Sequence, residues 1–122
     1  YSAALDLPSV DTGSSKPLRS AVSMPKWQKV FHALQQKIGD CDRYHEVFSA
    51  YESTDSVTGM LSDDLADMYG DLKSGLAAYD QDSACSIAEA VWHWRFNFRA
   101  HWGEHLTGAL RALYWLERDE KI

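Results

Sequence analysis

Two histidines and a glutamate stand close together in the segment His101-Trp-Gly-Glu104-His105. Residues four apart lie on the same face of a helix, so both imidazoles can reach one metal ion there. The order His-x-x-Glu-His is that of the inverted zincins, in which the histidines bind zinc and the glutamate is the general base. In those enzymes the third ligand lies far downstream, whereas 17 residues follow His105 here. The segment therefore indicates a metal-binding pattern but not a complete zincin-type protease.

Acidic residues on a second predicted helix, at 62–79, can complete such a site. If this helix packs antiparallel on a final helix at 85–117, residues whose numbers sum to roughly 165 face each other. That register puts Asp64 level with His101. Helix bundles build metal sites from carboxylates and imidazoles on facing helices. The candidate metal ligands are Asp64, His101 and His105, within a wider polar cluster of Asp64, Asp67, Asp71, His101, Glu104 and His105.

The alternative is a set of contacts between the two helices that fixes their register and needs no ligand. In this interpretation Asp64 bonds to His101, and Asp67 pairs with Arg95 or Arg99. Polar networks of this kind occur between packed helices without any bound ion. The sequence favours this alternative, so we expect no cofactor, and a divalent metal is retained as the second hypothesis.

Helices account for most of the predicted structure. Apolar residues at three- and four-residue spacing predict helices at 25–38, 62–79 and 85–117. The last helix is long and rich in tryptophan, with an irregularity expected near Gly103. These elements predict an all-α fold, a small helical bundle in which the C-terminal helix packs antiparallel on helix 62–79.

Local signals refine these helices. Ser62 is the predicted N-cap of the second helix, and Ser86-x-x-Glu89 is a predicted capping box at the start of the third. Gly70 and Gly75 weaken the second helix, but either can allow another helix to approach closely. The five tryptophans need partners for their indole N–H groups wherever they are buried.

The rest of the chain is predicted to lack regular structure. Residues 40–61 are expected to be mostly irregular, with no alternating strand pattern, and residues 9–24 form a loop. Residues 1–8 resemble the end of a helix, so we expect further sequence before Tyr1. We treat residues 1–122 as a single helical domain.

Composition excludes several classes of function. The net charge of −6 disfavours nucleic acid and anionic membrane as partners, because Lys and Arg form no local patch in the sequence. No apolar stretch is long enough for a transmembrane helix. Cys41 and Cys85 are far apart and match no metal-binding spacing, so we expect two free thiols and a cytoplasmic location.

Several segments also follow a pattern shared with a known family. They are Leu61–Lys73, Ala90–Phe98, His101–Leu106 and Ala109–Leu113, together with Tyr44–Phe48 and Tyr1–Pro8. In these segments the chain resembles the bacterial helical family catalogued as domain of unknown function 5063. The resemblance covers nearly the whole chain and implies an all-α fold, with a further helical segment before Tyr1. It implies no activity.

The resemblance also carries over individual polar positions. This sequence departs from the family pattern at Gly70, where a Gln-like residue is usual, and at Tyr114, where His is commoner. Through this resemblance Arg111 joins the candidate polar cluster. The positions carried over are Asp64, Asp67, Tyr69, Asp71, Lys73, Trp102 and Arg111.

Two functional hypotheses follow. The leading hypothesis is a non-enzymatic helical module that binds a protein partner or self-associates, because the sequence shows no complete catalytic set and is rich in aromatic residues. The alternative is a metal- or small-ligand-binding protein, or a hydrolase, that uses the Asp/His/Glu cluster between the last two helices. The sequence favours the first, and therefore a protein that is not an enzyme.

Overall fold

The computed structural model describes residues 1–13, 17–53 and 55–122, and helices dominate it. The helices are α1 (Ser2–Leu5), α2 (Met24–Ile38), α3 (Leu61–Tyr79), α4 (Ala84–Asn97) and α5 (Gly103–Arg118). The remaining elements are a 3₁₀ turn (Gly39–Cys41), strands β1 (Arg43–Glu46) and β2 (Val57–Met60), and a π-helical turn (Phe98–Trp102). Helix α3 contacts α2, α4 and α5 and is the central element of the fold.

The expectation of an all-α fold is correct only in part, because β1 and β2 form an antiparallel hairpin. Arg43 pairs with Met60 and Glu46 with Val57, within a region expected to be mostly irregular. Strands of four residues are too short to show a clear alternation in the sequence, and an isolated hairpin of this size is only marginally stable. Here Tyr44 packs against the apolar core, so tertiary contact stabilises the pairing.

The helix starts differ from those predicted. Helix α3 begins one residue before Ser62, and its cap comes from a residue distant in sequence. The buried carboxylate of Asp42 accepts hydrogen bonds from the Ser62 backbone N–H at 2.7 Å and the Ser62 hydroxyl at 2.8 Å. The capping box of α4 joins Ser83 to Ser86, one turn before the predicted pair of Ser86 and Glu89. A cap supplied by a distant loop cannot be identified from local spacing alone.

The predicted C-terminal helix exists as one helical run formed by α4, the π-helical turn and α5. The irregularity expected near Gly103 is the π-helical turn itself. A Cβ atom at Gly103 would collide with the carbonyl oxygen of Phe98, so glycine is the residue that this turn accommodates. π-Helical turns within α-helices are rare and are frequent at functional sites.

Helices α3 and α4 approach closely at Gly75, as the sequence predicted for one of its two helical glycines. The Trp94 indole occupies the space that a Cβ at Gly75 would need. Its N–H donates to the carbonyl of Leu72 at 3.1 Å. Further along the chain, the buried Trp102 indole donates to the carbonyl of Trp94 at 3.2 Å. Both indole donors therefore have partners, and the bond from Trp94 joins α4 to α3.

The core lies between α3 and the C-terminal helical run, with α1 contributing one residue. Its buried members are Ala4, Leu61, Met68, Trp102, Ala109 and Ala112. Part of the apolar surface predicted for the core remains open to solvent, since Leu72, Leu76 and Tyr79 are 42%, 39% and 45% exposed. Among the described residues, no helix combines the length and the apolar character that a membrane span requires.

Candidate metal centre

Three acceptor atoms from α3 and the C-terminal helical run converge on one point. His101 belongs to the π-helical turn and His105 to the first turns of α5, so the two imidazoles share a face. Their Nε2 atoms are 3.3 Å apart. Asp67 of α3 places its Oδ2 atom 3.6 Å from Nε2 of His101 and 3.4 Å from Nε2 of His105. This triangle is a candidate three-ligand metal site.

The size of the triangle matches tetrahedral coordination. Zinc binds nitrogen and carboxylate oxygen at about 2.0–2.1 Å, which puts two tetrahedral ligands roughly 3.3–3.4 Å apart. Octahedral coordination with bonds of about 2.1 Å would need neighbouring ligands roughly 3.0 Å apart. The three separations of 3.3, 3.4 and 3.6 Å lie at or slightly above the tetrahedral value. Three protein ligands would leave the fourth position open, as in catalytic zinc sites.

Hydrogen bonds at Nδ1 of His101 and His105 determine which nitrogen of each imidazole has a free lone pair. Nδ1 of His105 lies 2.8 Å from Oδ1 of Asp64, and Nδ1 of His101 lies 2.8 Å from Oδ2 of Asp71. An ionised carboxylate only accepts hydrogen bonds, so each Nδ1 atom carries the proton. In a neutral imidazole the Nε2 atom is then a bare acceptor. Two bare nitrogens and a carboxylate oxygen meet without a donor between them, which is the arrangement that a cation stabilises.

The groups behind the ligands are themselves held in place. Oδ1 of Asp67 accepts a hydrogen bond from the Trp27 indole N–H at 2.8 Å. Oδ2 of Asp64 accepts from the Tyr44 hydroxyl at 2.7 Å, and Asp64 is only 5% exposed. Carboxylates that hold the second nitrogen of a ligating histidine fix its tautomer and increase its basicity. The three candidate ligands thus each have a partner that orients them.

Neighbouring carboxylates and burial shift three pKa values in this region. The hydrogen bond from His105 to Asp64 raises the pKa of that imidazole, against the effect of burial, and the charge of Asp67 adds to the increase. Burial, followed by the charge of Asp67, raises the pKa of Asp63. Burial and hydrogen bonds to Asp64 and Glu46 raise the pKa of the Tyr44 phenol. The cluster therefore favours a positive charge at its centre, either a proton or a metal ion.

Solvent and small molecules can reach the cluster from two sides. The side chain of His101 is 47% exposed, and those of His105 and Asp67 are 22% and 25% exposed. A cleft of about 410 Å³ with Trp27 and Val22 in its wall contains Asp67 and His101. A second cleft of about 500 Å³ adjoins His105 on the hairpin side. A metal at the centre would therefore have an accessible fourth position.

The register between the helices differs from the predicted one. His105, rather than His101, comes level with Asp64, and His101 bonds to Asp71 instead. The residue numbers of these two pairs sum to 169 and 172, rather than to the predicted value of roughly 165. Asp67 consequently replaces Asp64 in the candidate ligand set, and Asp64 lies behind His105.

The predicted ion pairs of Asp67 are also absent from the part of the chain that the structure describes. Asp67 contacts Trp27 and the two histidines, and no ion pair joins it to Arg95 or Arg99 there. The reason is the same register shift, which brings the imidazoles to the position expected for the arginines.

Other candidate residues lie around the triangle or apart from it. Glu104 is exposed and lines the cleft beside His105, outside the ligand triangle. Arg111 lies elsewhere, in a cleft formed by β1 and the end of α5. Trp102 is a core residue, and Lys73 is exposed. The structure thus brings together Asp64, Asp67, Asp71, His101 and His105, and separates Arg111 from them.

Sequence reasoning missed two residues that complete the site. Trp27 comes from α2 and Tyr44 from β1, and each donates a hydrogen bond to a carboxylate of the cluster. The need of a buried indole N–H for a partner was a usable signal for Trp27, although it names no particular acceptor. No comparable signal existed for Tyr44, because its strand was not predicted.

Comparison with known proteins identifies the family. Residues 1–119 match the family described as domain of unknown function (DUF5063), and the chain belongs to this family. The chain is similar in fold to a crystal structure of protein BF1032 from Bacteroides fragilis, with a TM-score of 0.75 and 22% sequence identity. That similarity covers 91% of this chain but 64% of the Bacteroides chain, so this chain spans less than two thirds of that protein's length. No curated protein matches the chain.

Proposed function

We propose that this protein binds one divalent transition-metal ion of the zinc type through Asp67, His101 and His105. The observation that carries the proposal is the convergence of three ligand atoms at 3.3–3.6 Å, with Nδ1 of each imidazole 2.8 Å from a carboxylate oxygen on the far side of the ring. Two nitrogen ligands and one carboxylate suit zinc and its neighbours in the transition series better than calcium or magnesium, which prefer oxygen.

The proposed coordination is of the catalytic type. A fourth position open to solvent can hold a water molecule, and a zinc ion lowers the pKa of such a water to about 7. The chemistry that this chain can supply is therefore activation of a water or binding of a ligand atom at the metal. In this account Asp64 and Asp71 position the imidazoles, and Trp27 positions the Asp67 carboxylate.

Zinc titration of chelator-treated protein tests the proposal. We expect a stoichiometry of one zinc per chain by isothermal titration calorimetry. The variant His105→Ala should bind zinc at least about 100-fold more weakly, because loss of a ligand exceeds the 10- to 100-fold effect typical of the groups behind ligands. His32→Ala removes an exposed histidine on α2 and serves as the matched control with unchanged affinity.

Circular dichroism of each variant establishes that the fold is intact before titration. Because His105 contacts the buried Asp64, the more exposed His101→Ala provides a second ligand variant that disturbs the packing less. Absence of stoichiometric zinc binding in the wild type, or equal affinity in the wild type and both ligand variants, would overturn the proposal.

The protein-interaction hypothesis remains a prediction, and one surface supports it. Trp92 and Phe96 of α4 stack with ring centroids 4.8 Å apart and are 39% and 53% exposed. Exposed aromatic pairs are typical of protein interfaces. Self-association through this pair predicts a dimer by light scattering that Phe96→Ser converts to a monomer, and a wild-type monomer at all concentrations would count against it.

A further inference from the structure

A cleft of about 290 Å³ lies between β1, the 3₁₀ turn and the end of α5. It is separate from the candidate metal centre, and Tyr44 lies between the two. Tyr44 borders this cleft, while its hydroxyl donates to Asp64 behind the metal ligands. The proposed metal function does not use any other residue of the cleft.

Positive side chains from three parts of the chain line this cleft. They are Arg43 of β1, Arg111 of α5 and Lys121 beyond the end of α5, with His45 beside them. One acidic residue, Asp40, is also in the wall. In a chain with 18 acidic residues against 12 Lys and Arg, this gathering of cations runs against the overall charge.

Among the described residues, the cations of the cleft also have no carboxylate partner. Over residues 1–13, 17–53 and 55–122, the sole ion pair made by a Lys or Arg side chain joins Arg118 to Asp119. Arg43, Arg111 and Lys121 therefore have no carboxylate within 4.0 Å in that part of the chain. Three cations and one carboxylate, Asp40, line the cleft, which leaves it with a net positive charge that a bound anion can offset.

The remaining wall is apolar and suits an organic group attached to the anion. Ala112, Trp115 and Leu116 of α5 face the cleft. The Arg118 guanidinium, which is paired with Asp119, lies 3.9 Å from the centre of the Trp115 ring and packs on that side chain. The volume approaches the lower end of the range for small-molecule pockets, about 300 Å³.

We propose that this cleft binds a small phosphorylated molecule. A phosphate monoester carries close to two negative charges at neutral pH, which matches three cations better than a carboxylate does. The planar forks of Arg43 and Arg111 can each donate two hydrogen bonds to phosphate oxygens, and Lys121 adds a point charge. The organic part of the molecule packs against Trp115 and Leu116.

Calorimetric titration of chelator-treated protein with phenyl phosphate tests this assignment, because the probe combines a phosphate with an aromatic group. We expect saturable binding with one molecule per chain, and weaker binding of inorganic phosphate because it lacks the aromatic group. Arg111→Ala should weaken phenyl phosphate binding by about 10-fold or more, the effect expected for loss of a charge-assisted bidentate contact.

Two further variants separate a specific site from a general charge effect. Arg111→Lys keeps the charge but loses the fork, and its affinity for phenyl phosphate should fall between those of the wild type and Arg111→Ala. Arg99→Ala removes an exposed arginine outside this cleft and should bind phenyl phosphate normally. Binding that is absent, unchanged in Arg111→Ala, or weakened as much in Arg99→Ala as in Arg111→Ala would overturn the assignment.

Discussion

The candidate metal centre and the basic cleft are built on opposite principles. In the metal centre, acceptor atoms converge and a donor or carboxylate behind each one holds it in place. In the basic cleft, donors converge and, within the described part of the chain, they have no carboxylate partners. The first arrangement therefore suits a cation and the second suits an anion. The kind of ligand that each arrangement suits follows from which hydrogen-bonding capacity the protein leaves unused.

The two regions also differ in how firmly their side chains are held before a ligand binds. Asp64, which holds His105, is almost fully buried, and Asp67 is bonded to an indole from another helix, so the candidate ligands are held in place by protein contacts alone. Arg43 and Arg111 are exposed side chains whose conformations a ligand must order. Preorganised ligands lose less entropy on binding. We therefore expect geometry to dominate binding at the metal centre, and charge to dominate binding in the cleft.

The largest change is expected in zinc affinity, when the carboxylates that bond to Nδ1 of the two histidines lose their charge. Asp64→Asn and Asp71→Asn preserve shape but remove the charge that makes each imidazole more basic, so zinc affinity should fall by about 10- to 100-fold. Asp64→Asn should have the larger effect, because the side chain of Asp64 is 7% exposed and that of Asp71 is 20% exposed. Calorimetric zinc titration of both variants measures this order, and phenyl phosphate affinity serves as the control. Equal zinc affinity in both variants and the wild type would show that these carboxylates do not support the site.

The effect of pH on the stability of the metal-free protein should be opposite in sign to its effect on the stabilisation by zinc. Because the pKa of His105 is raised in the folded state, its protonation stabilises the metal-free protein below the ordinary pKa, and this stability is lost as pH rises through the raised value. Zinc needs the neutral imidazole, so zinc affinity should fall as pH drops through that same value.

Thermal denaturation at several pH values measures both trends. The zinc-dependent increase in Tm should grow from pH about 5.5 to about 8, as proton competition disappears. Burial lowers the pKa of His93, which contributes stability that is lost as the pH falls, so wild type is compared with His105→Gln to isolate His105. A zinc-dependent increase in Tm that is the same at every pH would contradict the assignment of His105 as a ligand.

A change in salt concentration should produce the smallest changes in affinity. These changes should differ between the candidate metal centre and the basic cleft. Raising sodium nitrate from about 0.02 M to about 0.5 M shortens the Debye length several-fold, and should weaken phenyl phosphate binding by about 5- to 10-fold. Zinc affinity should be less sensitive to salt, because the ion is coordinated directly, and it should change by about 2-fold or less. Calorimetric titration at both salt concentrations can report the two affinities. Similar salt dependence at the two sites would remove the distinction between them.

The helices of this protein were predictable because each carries its own apolar spacing and stop signals. Gly39 ends α2 as expected, with φ of 62°, and Gly75 allows the close approach of Trp94. The hairpin was not predictable, because its strands are too short to show a period and depend on packing of Tyr44 against the core.

The candidate site was predictable only as far as local spacing extends. The shared face of His101 and His105 follows from their four-residue separation, and the structure preserves it. The choice of Asp67 over Asp64 as their partner depends on the register of two helices and on the π-helical turn. Trp27 and Tyr44 come from elements that only the tertiary fold brings near. Arg111 entered through family resemblance, and its cleft needs β1, which was not expected.

Anomalous diffraction from crystals of the zinc-loaded protein, measured above and below the zinc absorption edge, tests the three proposed ligands together. We expect one anomalous peak per chain, about 2.0–2.2 Å from Nε2 of His101, Nε2 of His105 and Oδ2 of Asp67. Density for water or another ligand should occupy the fourth position. A zinc peak elsewhere with this triangle empty, or hydrogen-bonded imidazoles with no ion between them, would contradict the account.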